Sequence, residues 1–600
     1  MDLSSRLSYL FGTEEYVGMR RQLVLLRENF MTHLHRIEKR NLYDICSGSL
    51  GEGVAYPTSD DDLMSCETDQ RVVKTYREAI QRGNVLIVLS EYSPGYCLLL
   101  DVKGVYQDTH IQIINEMPFL SSSLFKQFFL RGFEQSAHIH GPCISRIIGS
   151  AEEDFGRCIS CSSWPDVATD WLTRNRSYNW PSSEISHNIV QKGCHVVPVG
   201  DPDSPYCDHE WRISFSVAER ILMHSFNHAQ FLVYNLLRLT LKRIIDKSFL
   251  GVLCSYFMKT TLFYTSENTP LEIWQESNLE SCFKTCLSVL YDYVDHKYCP
   301  NYFIPEYNMI KRKINHTNRH GMLDIIRYIH NIGIVGILHL SGESHCLDDT
   351  LSATVMECKL DREFMFSDHL NKTFVDIERF VLSLPHEAVV SYEVCLSTFL
   401  RLLSECTQNK LINMVWCIGI NSFCLRTMNY LFTRPGSSKH KYRLYKKLKP
   451  LLAIGFRGDV TTGKLTMASY MYMNGKTESA LYVIQKLLSE YPPYAIDDSG
   501  DDLKRRTYID VMCGRGYSID YKARRAFVPY YSIESRCLNA FPHALKILLS
   551  IGNSSHIDPL TMYIHLLSKK PLLCSASESA IAEEINKVSS KSFRWTANQL

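Results

Sequence analysis

Two short groups of residues in this chain have the types and spacing that phosphate chemistry needs. Gly48-Ser49 stands eleven residues before Asp60-Asp61-Asp62-Leu63-Met64. On a strand, residues two apart share a face, so Asp60 and Asp62 would present paired carboxylates while Asp61 points away. Two hard oxygen donors on one face suit Mg2+, which takes one or two carboxylates plus substrate phosphates. Gly48 would let the backbone approach a triphosphate closely, and Ser49 would add a hydroxyl beside it. An isolated Asp-x-Asp is usually an acidic surface turn; the Gly-Ser upstream favours function. The second group is Trp211-Arg212-Ile213-Ser214-Phe215-Ser216. As a strand it packs Trp, Ile and Phe inward and offers a cation and two hydroxyls outward. Arg212 would bring forked donors to a purine edge, and the serines would reach phosphate or ribose. Taken alone, this is an ordinary half-exposed strand.

The elements that must position these residues follow from apolar spacing. Residues 1 to about 44 read as a long helix, with Leu23, Leu26, Phe30, Leu34 and Ile37 on one stripe. A turn-rich segment, 47–62, follows. The texture to residue 215 is that of short strands, among them Val85–Leu89, Cys97–Val102, Ile111–Ile114 and His195–Val199. Residues 217 to 340 turn helical again. The expected organisation is an N-terminal helix with an α/β lobe (1–215), a helical lobe completing a cleft (216–340), a linker (341–354) and an α-helical C-terminal region (355–600). Within the last, 465–495 reads as one tetratricopeptide-like hairpin; arrays of such repeats need about three to be stable.

Composition bounds the alternatives. With 600 residues, 45% hydrophobic, 22% charged and 11% aromatic, the chain is globular, not disordered or low-complexity. Its 65 basic and 64 acidic residues nearly cancel, so attraction to a charged partner must come from clustering. The 21 cysteines have no framework spacing, and the start MDLSSRLSYLFG lacks the pattern secretion needs. Reduced thiols and a cytoplasmic location, with the nucleus as the alternative, are the expectation. The longest apolar run, Ile325–Leu340, carries Arg327, His330 and His339, so no membrane span is expected.

Four segments carry a family resemblance: EWRISFSVAE (210–219), CSYFMKTTLFY (254–264), YFIPEYNMI (302–310) and CISCSSWPDVATDWLTRNRSYNWP (158–181). Together they resemble the cyclic GMP-AMP synthase family, and more closely the male-abnormal-twenty-one (Mab-twenty-one) proteins and the cGAS-like receptors of invertebrates. The resemblance covers roughly residues 1–340. It implies an α/β nucleotidyltransferase-fold lobe and a helical, HhH/H2TH-like lobe, with ATP and GTP bound in the cleft between them. It also implies synthesis of a cyclic dinucleotide with Mg2+ or Mn2+, in an innate immune sensor activated by double-stranded RNA or DNA. Carried over by residue, Asp60, Asp62 and Asp154 match the catalytic metal carboxylates. Ser49 would touch the triphosphate; Arg212, Ser216 and Glu219 match nucleotide contacts; Ser255 and Tyr256 match a hydroxyl and a base-stacking ring. Arg238 stands where the family has a lysine. Gly156 and Arg157, beside Asp154, replace the usual apolar strand residues. A catalytically silent scaffold on the same fold is the alternative, and the C-terminal helices would then serve a protein partner.

The family's zinc-thumb pattern is missing, so no zinc is expected. His224 and His228 read as helix-surface or core histidines. Cys158, Cys161, Cys194, His195, Cys207 and His209 match no ribbon spacing and read as buried residues. The segment Gly458–Lys464 nearly spells a P-loop, but Leu465 stands where Ser or Thr should ligate Mg2+. For nucleic acid, Arg20, Arg21, Arg27, Lys39 and Arg40 along the first helix are candidates, and 311–320 and 434–450 are the dense basic clusters.

Overall fold

In a computed structural model the described residues are 2–37, 39–54, 61–82, 84–90, 92–133, 136–148, 151–348, 351–365, 438–456, 460–492, 494–495 and 502–526, with 373, 417, 419–421, 423–425 and 428 between. The chain divides into two compact units, Met1–Leu351 and Ser352–Leu600. The division falls inside the stretch read as a linker.

The front unit opens with two helices where the spacing predicts one: α1 (Leu3–Phe11) and α2 (Glu14–Ile37). Gly12 separates them at φ 101°, and a Cβ there would meet the Arg20 guanidinium at 2.9 Å. A side chain at that position would be strained as well as crowded. After α2 the chain forms β1 (Leu42–Cys46), α3 (Gly48–Gly51), β2 (Asp61–Val73), α4 (Tyr76–Arg82), β3 (Val85–Leu89), β4 (Tyr96–Leu100), β5 (Ile111–Ile114) and β6 (Met117–Leu120). Then come α5 (Ser122–Leu130), β7 (His138–His140), β8 (Cys143–Ile148), β9 (Ala151–Cys161), α6 (Thr169–Thr173), α7 (Ser183–Lys192), β10 (His195–Val197) and β11 (Trp211–Ser214).

All eleven strands join one sheet in the order β1-β2-β3-β4-β11-β10-β9-β8-β7, with β5 and β6 attached through β4 and a further pairing of β2 with β9. That last pairing is parallel and sets Asp62 opposite Asp154 and Cys66 opposite Cys158. Because side chains alternate along a strand, register sorts the residues onto two faces. One face carries Asp62, Met64, Cys66, Asp154, Cys158, Val197 and Arg212; the other carries Leu63, Ser65, Glu67, Phe155 and Arg157. The second face lies under α2, where Val24, Cys46, Leu50 and Leu63 form a buried cluster. Arg157 is accommodated there by Glu67 at 3.8 Å and by the Phe129 ring at 4.4 Å. Arg157, like Glu153, therefore belongs to the opposite face from the Asp154 carboxylate.

The helical part comprises α8 (Ser216–Ser225), α9 (His228–Thr240), α10 (Asp246–Ser248), α11 (Ser255–Glu267), α12 (Leu279–His296) and α13 (His316–Ser341). Helix α13 is long and apolar enough to cross a membrane by length and composition. It is kinked at Gly333, and Met322, Leu323, Ile326, Ile329, Ile337 and Leu338 are buried against the rest of the unit. It is a core helix of this lobe. In the short turn 344–347, Cys346 is buried, and its carbonyl accepts a 3.1 Å bond from Arg6.

In the second unit, α14 (Ala353–Met365) is joined to residues 502–526 through Asp361, which accepts from Tyr508 (2.8 Å) and Lys522 (2.9 Å). Thr462–Met473 and Thr477–Ser489 form a helical hairpin that turns at Gly475. Of the P-loop lookalike, Gly458 and Asp459 lie outside the described residues, and Thr462–Lys464 begin the first of these helices. Lys464 Nζ turns back to donate to the Val460 carbonyl at 2.7 Å. Most of 366–437 and all of 527–600 lie outside the described residues.

Candidate active site

The site begins where β1 ends. Ser47 N donates to the Asp62 carbonyl at 2.8 Å, closing the turn into α3. Gly48 then takes φ 61°, and a Cβ on it would overlap the Asp62 carboxylate. Only glycine leaves that space open without backbone strain. Ser49 follows, half-buried, on the same short turn. On the neighbouring strand Asp154 lies in register with Asp62, about 4.8 Å away between strand axes. Ser145 on β8, opposite Asp154, donates its hydroxyl to Asp154 Oδ1, and His140 Nδ1 lies 4.0 Å from Oδ2. Asp60 lies outside the described residues.

Arg212 faces the same side of the sheet, half-buried between Trp211 and Ile213. The outward-inward alternation expected of this strand is what the fold shows. The Cys143 thiol reports the local charge: burial, then Asp154 and Asp62, push it up to about 12, with Arg212 pulling the other way. Asp62, Asp154 and Arg212 thus share one neighbourhood. Ser214 and Ser216 hydroxyls lie 2.8 Å apart where β11 passes into α8. Ser216 is the first residue of that ten-residue helix, an end where backbone N–H groups favour anions.

A second group is built on α8 and α11. Lys259 Nζ bridges Glu219 (3.1 Å) and Glu52 (2.5 Å), and Tyr234 donates to Glu52 at 2.9 Å. Burial works against the ammonium, but Glu52 and Glu219 outweigh it and hold it well above the usual lysine range. Lys259 also lies 5.7 Å from the centre of the Tyr256 ring, whose hydroxyl accepts from Asn301 Nδ2 at 3.0 Å. Ser255, half-buried, begins α11 just before it. Glu52 closes the connection, since it directly follows α3. A continuous set of contacts runs from Asp62 through Gly48 and Glu52 to Lys259, Glu219 and Tyr256.

The cation that pairs with Glu219 is Lys259. The Arg238 guanidinium packs over the Tyr234 ring at 5.8 Å. Sequence reasoning missed Lys259 and Glu52. A signal existed for the first: a lysine inside the apolar segment CSYFMKTTLFY must have a buried counter-charge. Nothing marked Glu52.

The N-terminal cations need correction. Arg20 is 1% exposed and donates to the carbonyls of Phe11 (3.1 Å) and Gly53 (3.4 Å); Arg27 is 6% exposed. Arg21 donates to the Glu52 carbonyl (3.1 Å) and the Met223 carbonyl (3.0 Å), and burial lowers it to about 10. These three face the interior because α2 is a core helix, so they form no surface for phosphate. Lys39 and Arg40, at the end of α2, are exposed. In 311–320, Arg312 pairs with Asp201 and Asp203 and Arg319 with Asp295. In 434–450, Tyr442, Lys446 and Lys449 are exposed on the helix Ser438–Gly455. His224 donates from Nε2 to the Gly51 carbonyl at 2.9 Å, and His228 Nε2 lies 2.9 Å from the Ser8 hydroxyl; both are packing residues.

A cavity of about 750 Å3 opens on the other face of these strands, lined by His35, Asp44, Glu67, Tyr106 and Arg157 among others. It includes neither Asp62 nor Asp154, so volume alone does not locate the chemistry.

A family model described as the Mab-21 protein nucleotidyltransferase domain matches residues 68–225, and one described as the Mab-21 protein HhH/H2TH-like domain matches residues 233–328. The front unit thus combines a Mab-21 nucleotidyltransferase domain with a Mab-21 HhH/H2TH-like domain, the family and fold that the motif resemblance implied. The chain is also 26% identical over 195 residues to a cyclic GMP-AMP synthase from Sus scrofa, covering 29% of this chain and 38% of that protein. Asp154, Arg212, Ser216 and Glu219 fall inside the first matched domain and Arg238, Ser255 and Tyr256 inside the second. Ser49, Asp60 and Asp62 precede both.

Proposed function

We infer that the front unit is a metal-dependent nucleotidyltransferase that joins ATP and GTP into a cyclic dinucleotide of the cyclic GMP-AMP type. The observation that carries this reading is the register of Asp62 with Asp154 beneath a glycine that leaves room at the Asp62 carboxylate. The donor set fits Mg2+, or Mn2+, because it is all carboxylate oxygen and Gly48, lacking a side chain, makes room for the Asp62 carboxylate. Asp62, Asp154 and Asp60 would hold the ions. Bound there, they would offset triphosphate charge and favour ribose hydroxyl ionisation.

The chain's own residues would do the rest by placement. Arg212 and the first turn of α8 would hold phosphate oxygens, with Ser216 and Ser49 as hydroxyl partners. Tyr256, pinned by Asn301, would stack a base. Lys259 would keep Glu219 and Glu52 fixed, so the turn carrying Gly48 and the helix carrying Ser216 move as one. No covalent protein intermediate is needed, so positioning and charge stabilisation supply the rate. The sensing role, with double-stranded nucleic acid as activator, rests on the resemblance; Lys39, Arg40, Lys446 and Lys449 are exposed cations that would serve it.

The second reading, a silent scaffold, draws on the Ser145 hydroxyl already bonded to Asp154. The deciding experiment incubates pure protein with labelled ATP, GTP and Mg2+, with and without duplex RNA or DNA. Asp62→Ala and Asp154→Ala should each abolish product while the thermal midpoint stays near the parent's. Product in either variant removes the two-carboxylate reading; no product from the parent under any activator leaves the scaffold.

A further inference from the structure

Three strands of the carboxylate-bearing face bring together Cys66 on β2, Cys158 on β9 and His195 on β10. One ligand atom from each lies within 4.8 Å of the others. All three residues are buried, at 0%, 0% and 3% exposure. Register makes the set: Cys66 is the direct partner of Cys158, and His195 pairs with Ser160, two residues further along β9. No linear spacing could reveal this, because several strands and helices lie between the three positions in the chain.

We propose that Cys66, Cys158 and His195 form a structural site for a thiophilic divalent cation of the zinc type, with the Tyr43 hydroxyl beside it.

The donor chemistry is right for such an ion, since two thiolates and one imidazole match its preference for sulfur and nitrogen. Tetrahedral zinc, with bonds of about 2.3 Å to sulfur and about 2.0 Å to nitrogen, sets ligand atoms roughly 3.5–3.8 Å apart. The set therefore needs to close by only about 1 Å. Charge also balances: two thiolates and a divalent cation sum to zero, the condition under which ions tolerate deep burial. His195 Nε2 lies 2.9 Å from the Tyr43 hydroxyl, the outer contact that orients a ligating imidazole, and its buried Nδ1 has no hydrogen-bond partner among the described residues. The Cys66 thiol is pulled down to about 5, first by the Cys158 thiol donating to it, then by His195 and Tyr43 against the opposing effect of burial. Burial drives Tyr43 well above the usual phenol range, so it stays neutral and adds no third negative charge. On binding, the thiol protons of Cys66 and Cys158 pass to solvent, both sulfurs bond the metal as thiolates, and no redox step is involved.

Position gives the site its purpose. Cys66 and Cys158 lie four residues beyond Asp62 and Asp154 on the same two strands, about 13 Å along each. A metal bridging β2 and β9 there would fix the register that aligns the two carboxylates. Because the site is closed to solvent, the ion would be loaded as the chain folds.

The test uses the full chain produced in zinc-limited medium supplemented with either Zn2+ or Co2+, and purified with a mild chelator present. The expected result is one equivalent of metal per chain, and for the cobalt protein the thiolate-to-metal charge-transfer absorption of a tetrahedral site. The double variant Cys66→Ser/Cys158→Ser should lose both, whereas Cys286→Ser, a buried thiol in α12, should keep them. Should the double variant not fold, the cobalt spectrum of the parent decides alone. Metal content below a tenth of an equivalent with no charge-transfer band overturns the proposal. So does peptide mapping of thiol-blocked protein that finds Cys66 and Cys158 joined as a disulfide. Neither readout depends on nucleotide turnover, so this inference and the enzymatic reading fail separately.

Discussion

Gly48 is where backbone conformation and candidate chemistry meet. At φ 61° an alanine would cost about 1 kcal/mol or more in backbone strain, and its methyl would press on the Asp62 carboxylate. Gly48→Ala should therefore reduce turnover at least a hundredfold with only a modest fall in thermal midpoint, the split that separates a site residue from a fold residue. A second residue-scale prediction concerns His224, whose ring is lowered to about 4 by burial, then by Arg21. An unfolded histidine titrates near 6.5, so between pH 6.5 and about 4 the unfolded chain binds more protons than the folded one. Stability then falls as pH falls through that window, by up to about 3 kcal/mol. His224→Gln should flatten the loss of thermal midpoint between pH 7 and 4.5; equal slopes for parent and variant would refute the assignment. His228, lowered by burial, adds in the same direction. At this scale the sequence was legible where type and spacing are local, as with Gly48-Ser49 and Arg212. It was silent on Glu52 and on Cys66–Cys158–His195, whose partners come from distant segments.

Elements explain which sequence signals were structural. The segments that carry the family resemblance converge on one aromatic core. Trp164 lies 5.4 Å from Trp171 and 5.2 Å from Phe215; Phe215 stacks on Phe303 at 4.4 Å; Trp180 stacks on Phe226 at 5.0 Å. These rings join the end of the sheet to the helical lobe, so the motif is legible because packing there is demanding. Strands β3 and β5 appear at the ends their patterning predicts, Val85–Leu89 and Ile111–Ile114. The partners of β2 were not legible, since a parallel pairing across about ninety residues leaves no local trace. Helix α2 shows the opposite error. Its arginines looked like a basic face, yet Arg20 and Arg21 turn inward to tie the helix to the turn after α3 and to α8, and Arg27 is buried. Arg20→Ala should cost roughly 2–3 kcal/mol by leaving buried carbonyls unpaired, and Arg20→Glu should unfold the unit. Lys39→Glu and Arg40→Glu should change stability within about 0.5 kcal/mol. If duplex binding uses that end of α2, they should also lower the log–log salt slope by about one per lost phosphate contact. An unchanged slope moves the search to Lys446 and Lys449.

At the scale of the whole molecule, the candidate site is contained in one unit. Every described residue from Ser49 to Tyr256 that contributes to it lies within Met1–Leu351, and so do the aromatic core and the Cys66 cluster. The second unit has its own buried ion pairs, with Lys522 held by Glu357 and Asp361, and its own apolar clusters around Tyr508 and Leu487. A chain ending at Leu351 should then fold, because α13 and residues 344–347 are retained and complete the helical lobe. If the front unit is the synthase, this truncated protein should keep basal Mg2+-dependent product formation within about threefold of the full chain. Loss of nucleic-acid stimulation alone would assign the activator surface to the helix Ser438–Gly455 and its neighbours. Loss of basal turnover in a truncated protein with an intact cooperative melt would mean that the second unit contributes to catalysis, and the one-unit site would have to be abandoned. Product at the full rate, with stimulation unchanged, would leave the C-terminal helices free for the protein partner their helical hairpin could accept.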